Sequence, residues 1–314
     1  MDYVAVLNEF TLDAIKEAFK KNVIVVVKKK AFTLESFWDV FKQCDILTLN
    51  NMDKVIQHFF GNEGIEEFNQ FIKNISYDEY PGVLKVNCKK NDLGIQLGIV
   101  PIKEKLNWHR DTPAFVYPYR ILALHGQNTV KSVTYILETV TQYSLLSSED
   151  KKFVDSLVYE YKNEKLYETV QKELKKEKKR IITGVTNRTR SDETKDYPNL
   201  TYKEIFLNFT DDHYNNVDKP LIQNSIMGIP GFAFEYNTLL YFKGKSLRES
   251  IQISQWLESI IVKDKYKYSH YWDDGDVVLF DTVCTQHARD PYEDEDRLLH
   301  RLIFNFEKNN VSKT

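Results

Sequence analysis

The sequence contains little cysteine: Cys44, Cys88 and Cys284 are the only three in 314 residues. Their number is odd and they lie far apart, so they provide neither a disulfide framework nor the paired spacing of a zinc site. This pattern is typical of proteins in a reducing compartment. We therefore expect a cytoplasmic location.

Long apolar runs and an excess of basic residues are also missing. Asp2 and Glu9 interrupt the start of the chain, so no secretory signal pattern is present, and no run approaches the length of a membrane span. The net charge of −3 and the pI near 6.2 argue against a nucleic-acid-binding face. These absences argue against nucleic-acid and membrane partners, and they leave homo-oligomer formation open.

Aromatic and aliphatic residues are plentiful by contrast. Hydrophobic residues make up 42% of the chain and aromatic residues 13%, and the abundance of tyrosine and phenylalanine suits β-strands. A chain of this length and composition can form one large sheet-based domain. We expect a single domain over residues 1–314.

A His-x-Asp pair is the most informative local pattern. On an extended strand, residues two apart point to the same side, so His109 and Asp111 can bind one metal while Arg110 points away. The flanking residues favour a short strand that ends at a turn, with Leu106–Trp108 before the pair and Thr112–Pro113 after it. An isolated pair of this kind also occurs by chance, as a histidine that hydrogen-bonds a neighbouring carboxylate.

A second histidine lies far along the chain. The apolar run Val277–His287 follows the turn signal Gly275–Asp276 and predicts one buried strand with His287 near its end. Two histidines and one carboxylate are the ligands of a non-haem Fe(II) facial triad, which leaves coordination positions open for oxidant and co-substrate. A zinc hydrolase could use the same ligands.

An arginine fourteen residues after His287 separates these alternatives. Arg301 follows an acidic turn at the start of an apolar strand, and an antiparallel hairpin would return its guanidinium to the metal. Such a guanidinium can bind the distal carboxylate of a dicarboxylate, which a zinc hydrolase would not need. The other interpretation is a surface salt bridge to the acidic run Glu293–Asp296, and it applies still more strongly to Arg297.

These segments resemble the taurine dioxygenase/TfdA-like branch of the Fe(II)/2-oxoglutarate oxygenases, in order from about Leu84 to Phe306. The motifs that carry the resemblance are Trp108–Thr112, Lys219–Leu221, Gly231–Asn237, Gly275–Asp281, Gln286–Ala288 and the closing Arg297-x-x-His300-Arg301. The resemblance implies that His109, Asp111 and His287 bind iron. It implies that Arg301 pairs with the distal carboxylate of 2-oxoglutarate, with Arg297 as a second arginine and Thr134 as a further co-substrate contact.

Two departures from the family pattern concern the iron site and the substrate. Arg110 stands where the family often has a small residue, and the alternation of a strand turns it away from iron. The segment Ser76–Gly82 offers tyrosines and acids where taurine-type enzymes carry a histidine for the sulfonate, which argues against a sulfonate substrate. The predicted substrate contacts are Asn107, Tyr236 and Asn237.

The implied fold is mixed α/β with a mainly β core: a double-stranded β-helix (jelly roll) with flanking helices and a long helical insertion. Residues 1–83 would form N-terminal helix and strand elements, and residues 84–306 the jelly-roll core, with the insertion at about 145–215. Helices are predicted behind Thr11 and Thr33, from Ser147 through about Lys179, and over Ser246–Ile261. Strands are predicted over Val23–Val27, within Phe232–Phe242 and over Tyr266–Trp272. The polar segment Thr183–Pro198 would be a surface loop or a lid.

Taken together, the sequence predicts a non-haem iron dioxygenase with Fe(II), 2-oxoglutarate and O2 as cofactor and co-substrates. The resemblance implies oxidative decarboxylation of 2-oxoglutarate to succinate and CO2, coupled to hydroxylation of a C–H bond in a small polar molecule, an amino acid or a related acid. Desaturation or cyclisation with the same cofactors remains open. So does a non-catalytic jelly-roll protein that binds or senses a ligand.

Overall fold

The computed structural model describes residues 3–28, 32–48, 66, 69–100, 103–111, 119–129, 132–160, 218–234, 241–294 and 296–307. Within them, the larger sheet has seven strands: β1 Val4–Leu7, β2 Ile24–Val27, β3 Asp45–Ile46, β4 Leu84–Val86, β6 Ile121–Gln127, β14 Val277–Asp281 and β16 Leu298–Asn305. Their order is β1-β2-β14-β6-β16-β3, and β4 also pairs with β16. The β1–β2 pair is parallel, and the other pairs are antiparallel.

A second sheet has four antiparallel strands in the order β13-β7-β15-β5. These strands are β5 Leu106–His109, β7 Val133–Glu138, β13 Lys267–Tyr271 and β15 Thr285–Arg289. Shorter strands form two further ladders: β8 Val158–Glu160, β9 Asp218–Pro220, β10 Ile222–Asn224, β11 Pro230–Phe232 and β12 Tyr241–Phe242. The described helices are α1 Leu12–Phe19, α2 Leu34–Phe41, α3 Val140–Ser144, α4 Ser148–Asp155 and α5 Leu247–Ile261, with a 3-10 turn at Asp264–Tyr266. Residues 69–75 are also helical.

The seven-stranded sheet is buried on both faces because apolar residues occupy both sides of its central strands. In β6, Ile121 and Ala123 pack with α1 and α2 on the outer face, whereas Leu122 and Leu124 pack in the core that includes Ile136 of the smaller sheet. Successive side chains of a strand point to opposite faces of the sheet, so consecutive apolar residues indicate a sheet that is covered on both faces. The predicted jelly roll, mixed α/β and mainly β with flanking helices, is confirmed.

The helix starts follow local capping signals as predicted. Thr11 caps α1, Thr33 caps α2 and Ser246 caps α5, each by accepting a backbone N–H of the first turn. The predicted strands Val23–Val27 and Tyr266–Trp272 correspond to β2 and β13. Among the described residues, no helix has the length and apolar character needed to cross a membrane.

Two predictions for the stretch from Val277 to Arg301 are wrong. The run Val277–His287 is not one strand, because it divides into β14 in the larger sheet and β15 in the smaller one. The Asp281 side chain ends the first strand: it accepts the Val283 N–H at 2.8 Å, and the Asp281 carbonyl accepts the Thr285 hydroxyl at 2.6 Å. The predicted hairpin is also absent, since β15 pairs with β5 and β7 while β16 pairs with β3, β4 and β6.

The insertion differs in part from its prediction. Ser147 caps α4 as expected, but the helix ends at Asp155 and β8 follows, so helix does not run on through residues 158–160. The rest of the predicted helical stretch and the proposed loop or lid at Thr183–Pro198 lie outside the described residues. The aromatic stretch Phe232–Phe242 is likewise not one strand in its described part, because β11 ends at Phe232 and β12 begins at Tyr241.

Candidate metal centre

The His109 and His287 side chains lie side by side in the smaller sheet. They face each other directly across the β5–β15 pair, and their ring centroids are 4.0 Å apart. Asp111 follows the end of β5, with its Oδ1 atom 3.9 Å from His109 Nε2 and 4.0 Å from His287 Nε2. One ligand atom from each of the three residues lies within 4.8 Å of the other two. Small side-chain rotations would therefore let all three atoms meet one ion, and the donor set is the one that non-haem Fe(II) prefers.

A hydrogen bond fixes the orientation of one imidazole. His109 Nδ1–H donates a hydrogen bond to the Asn107 carbonyl oxygen, with the two atoms 2.7 Å apart. The proton on Nδ1 leaves the Nε2 lone pair available on the side of Asp111 and His287. Asn107 thus contributes its backbone to the centre; its predicted side-chain contact with substrate is untested.

Arg301 lies on the carboxylate of the triad. Its Nε donates to Asp111 Oδ2 at 2.6 Å, which leaves Oδ1 on the side of the two histidines. Burial alone would raise the pKa of the Asp111 carboxyl, but Arg301, His287 and His109 together hold that pKa well below its usual range. Asp111 is therefore ionised at neutral pH, which is the state that binds a metal. Arg301 arrives from β16, so it crosses the space between the two sheets to reach this carboxylate.

Arg297 is buried, whereas the acidic residues before it in the sequence suggested a salt bridge on the surface. Its side chain is buried at 2% exposure, with the guanidinium carbon 4.7 Å from the centre of the Tyr292 ring. Among the described residues, its Nε and Nη2 atoms have no hydrogen-bond partner. The nearby acid Asp296 instead pairs with Lys89 at 2.5 Å. Burial, with Arg289 nearby, lowers the pKa of Arg297 to about 10, so the group remains a cation in a dry environment.

Sequence reasoning missed two neighbours of Arg297. The Arg289 guanidinium carbon lies 4.5 Å from the Tyr292 ring centre, so both arginines pack against the same tyrosine. Arg289 lies two residues after His287 on β15, and strand alternation could have placed it on the same face. Nothing in the sequence marks Tyr292, whose pKa burial raises to about 12.

Thr134 lies on the same sheet as the second histidine. It stands opposite Arg289 in the β7–β15 register, and its hydroxyl oxygen accepts the Trp272 Nε1–H at 2.8 Å. The hydroxyl keeps its own hydrogen to donate. The structure thus brings Thr134 next to Arg289, on the neighbouring strand. The remaining predicted substrate contacts, Tyr236 and Asn237, lie outside the described residues.

Comparisons with known proteins bear on the family and the fold. The family model "Taurine catabolism dioxygenase TauD, TfdA family" matches residues 4–303, so the likeness also includes the N-terminal elements. A solved taurine dioxygenase from Burkholderia xenovorans is 16% identical, with a TM-score of 0.59, over 97% of this chain and 86% of that one. The structure of AAD-2 in complex with Mn(II) and N-oxalylglycine is 15% identical, with a TM-score of 0.62, over 98% of this chain and 96% of that one. No curated protein matches the sequence.

Proposed function

Since this chain belongs to the TauD/TfdA family of 2-oxoglutarate-dependent dioxygenases, we propose that it hydroxylates a C–H bond of a small polar molecule, an amino acid or a related acid. Enzymes of this family use Fe(II), 2-oxoglutarate and O2. The observation that carries the proposal is the convergence of His109, Asp111 and His287, with ligand atoms within 4.8 Å of one another.

The residues of the centre have distinct tasks in this proposal. His109, Asp111 and His287 hold the metal on one side, with His109 fixed by the Asn107 carbonyl and Asp111 by Arg301. When bound there, Fe(II) supplies the activation of O2 that couples oxidative decarboxylation of 2-oxoglutarate, to succinate and CO2, with oxidation of the substrate. The surrounding sheets exclude water and orient both substrates.

The arginine that binds the far end of 2-oxoglutarate is, in this proposal, Arg297 rather than Arg301. Arg301 already donates to Asp111, whereas Arg297 is a buried cation whose Nε and Nη2 atoms have no hydrogen-bond partner among the described residues. Buried donors left without an acceptor are costly, and a bound carboxylate relieves that cost through charge-assisted hydrogen bonds. Arg289 packs against the same tyrosine as Arg297, and Thr134 stands opposite Arg289 on the neighbouring strand, so in this proposal both assist Arg297.

The residues near the predicted sulfonate-binding position bear on the class of the prime substrate. Tyr77, in the segment Ser76–Gly82 that offers tyrosines and acids in place of a sulfonate-binding histidine, hydrogen-bonds to His300 on the outer face of the larger sheet. This supports a substrate other than a sulfonate, and an amino acid or small carboxylic acid remains our first candidate.

Succinate release tests the proposal directly. Purified protein is given Fe(II), ascorbate, O2 and 2-oxoglutarate with a panel of amino acids and small organic acids, and succinate and products are measured by mass spectrometry. We expect one panel member to raise succinate release and to gain one oxygen atom. A product that has lost two hydrogens instead indicates desaturation or cyclisation. The control is His287→Ala, and a wild-type protein that releases no more succinate than this variant across the panel would show a protein without turnover.

A further inference from the structure

Arg110 lies between His109 and Asp111 in the sequence, but its side chain bonds to other parts of the chain. It is buried, with Nε donating to the Thr282 carbonyl at 2.8 Å and Nη1 donating to the Ala233 carbonyl. Both acceptors belong to segments far from residue 110 in the sequence. Arg110 therefore links the end of β5 to two other parts of the chain.

One of these parts is the crossover between the two sheets. Thr282 lies between β14 and β15, in the segment that carries the chain from the larger sheet to the strand of His287. The crossover is itself held firmly: the Thr282 hydroxyl donates to the Tyr119 carbonyl at 2.6 Å, and Asp281 Oδ2 accepts the Ile226 N–H at 2.6 Å. Because the crossover is held in place by these hydrogen bonds, a bond to it also holds the Arg110 guanidinium in place.

The backbone ladder does not by itself position Asp111. The β5–β15 pairing ends with His287 opposite His109, and its register is irregular between His287 and Arg289. Arg110 and Asp111 follow the last paired residue of β5. The position of the carboxylate relative to the two histidines therefore depends on contacts made after the strand has ended, and the Arg110 side chain supplies two of them.

The second acceptor lies on the other side of the guanidinium. Ala233 follows β11, and its carbonyl also accepts the Tyr159 hydroxyl at 3.3 Å. In the sequence, Ala233 leads into the segment that contains Tyr236 and Asn237, the predicted substrate contacts. One buried cation is thus bonded both to the crossover before His287 and to the start of this segment.

We propose that Arg110 is a positioning residue of the metal centre, which sets the place of Asp111 relative to His287 by bonding the end of β5 to the β14–β15 crossover. The inference rests on the proposed metal site. Groups that orient metal ligands from outside the coordination sphere are worth about 10–100-fold in metal affinity. The planar guanidinium makes its two bonds in fixed directions, which a lysine ammonium cannot reproduce.

A matched pair of variants separates positioning from general stability. Arg120 braces the same crossover from another side, since its Nη2 donates to the Asn224 carbonyl at 2.7 Å and lies 3.3 Å from Asp281 Oδ2. Among the described residues, its side chain makes no hydrogen bond to β5. Arg110→Met and Arg120→Met each remove one brace while keeping an apolar side chain of similar length. Arg110→Lys retains the charge without the fork.

The measurement is anaerobic titration of each protein with Co(II), followed by the visible spectrum of the bound ion, together with the melting temperature of the metal-free form. We expect both Met variants to melt at lower temperature, but only Arg110→Met to weaken Co(II) binding, by at least about tenfold, with a changed spectrum. Arg110→Lys should recover part of the affinity.

Several outcomes would overturn the proposal. One is an Arg110→Met protein with the wild-type dissociation constant and spectrum, and another is an Arg120→Met protein that loses as much affinity as Arg110→Met. If Arg110→Met does not fold, the comparison of Arg110→Lys with Arg120→Lys decides in the same way. A wild-type protein that does not bind Co(II) would refute the metal site itself, so this failure is distinct from a failure of the Arg110 role.

Discussion

At the scale of single residues, the two oxygens of the Asp111 carboxylate have different partners. Oδ2 accepts from Arg301 at 2.6 Å, while Oδ1 lies about equally far from the two histidines, at 3.9 and 4.0 Å. This arrangement keeps the carboxylate ionised and turns one oxygen toward the metal position. It also explains why an arginine at position 301 need not be the anchor for 2-oxoglutarate.

The division of work between the two arginines gives a testable prediction. Arg297→Met should raise the dissociation constant for 2-oxoglutarate strongly, by a loss on the order of 2–4 kcal/mol, because it removes a buried charge-assisted contact. Iron affinity should change little. Arg301→Met should weaken 2-oxoglutarate binding less and iron binding more, since it removes the partner of Asp111.

Anaerobic titration of the iron-loaded variants with 2-oxoglutarate checks this prediction, and Arg297→Lys is the control that keeps the charge. If Arg301→Met loses more 2-oxoglutarate affinity than Arg297→Met, then Arg301 is the anchor, as the sequence first suggested.

The environment of Arg297 could not have been predicted from its neighbours. Four acidic residues precede it, and this pattern usually indicates a surface ion pair. Its actual surroundings come from Tyr292 and Arg289, while Asp296 turns outward to Lys89. The triad was easier to predict, because His109 and Asp111 are only two residues apart in the sequence; β5 nevertheless ends at His109, so strand alternation alone does not place the Asp111 side chain.

At the scale of secondary-structure elements, a stack of histidines joins β6, β16 and the segment at Tyr77. His125 Nδ1 lies 3.0 Å from His300 Nδ1, and His300 Nε2 lies 3.0 Å from the Tyr77 hydroxyl. Burial, followed by the nearby His125 and Lys85, lowers the pKa of His300 to about 3. Protonation therefore favours the unfolded chain, where a histidine has its ordinary pKa of about 6.5.

We predict that this stack makes the protein acid-sensitive. Because the folded pKa lies below the unfolded one, the contribution is complete above about pH 6.5 and is lost as the pH falls toward 3. When the pH is lowered from 7 to 5, the protonation of His300 in the unfolded chain should reduce the free energy of unfolding by about 2 kcal/mol. Urea unfolding at both pH values checks this for the wild type and for His300→Gln, which cannot titrate. Equal losses in the two proteins would contradict the assignment.

Elements defined by local signals were predicted well, and those defined by distant partners were not. The caps Thr11, Thr33 and Ser246 bond within one turn of their own helix, so the sequence contains the whole interaction. The break between β14 and β15 depends in part on distant contacts such as Asp281 with Ile226. Asp281 interrupts the apolar run in the sequence, but nothing near it in the sequence predicts its contact with Ile226.

At the scale of the whole molecule, the jelly roll places the ligands on one sheet and Arg301 on the other. His109 and His287 come from adjacent strands of the smaller sheet, and Asp111 follows the first of them, whereas β16 delivers Arg301 from the larger sheet. The metal centre therefore requires both sheets to be packed together, which couples folding to site assembly. A match of 97% of the chain to a taurine dioxygenase at 16% identity shows that this fold is kept while most side chains differ.

The domain division, the location, the oligomeric state and the substrate are predictions at the scale of the whole molecule that the fold does not test. A single domain over residues 1–314 and a cytoplasmic location stay predictions, as does the oligomeric state. Substrate identity depends on side chains such as Tyr236 and Asn237, and general chemistry of the family does not fix those contacts.

The central claim is that His109, Asp111 and His287 bind Fe(II) and leave room for 2-oxoglutarate to chelate it. The most direct test is the visible spectrum of the protein after anaerobic addition of Fe(II) and 2-oxoglutarate. We predict a weak charge-transfer band in the wild type, which disappears on exposure to O2. We predict no such band in His109→Ala or His287→Ala, because two ligands cannot hold the ion in facial geometry. A wild-type protein without the band, or either variant with a band of wild-type intensity, would contradict the claim.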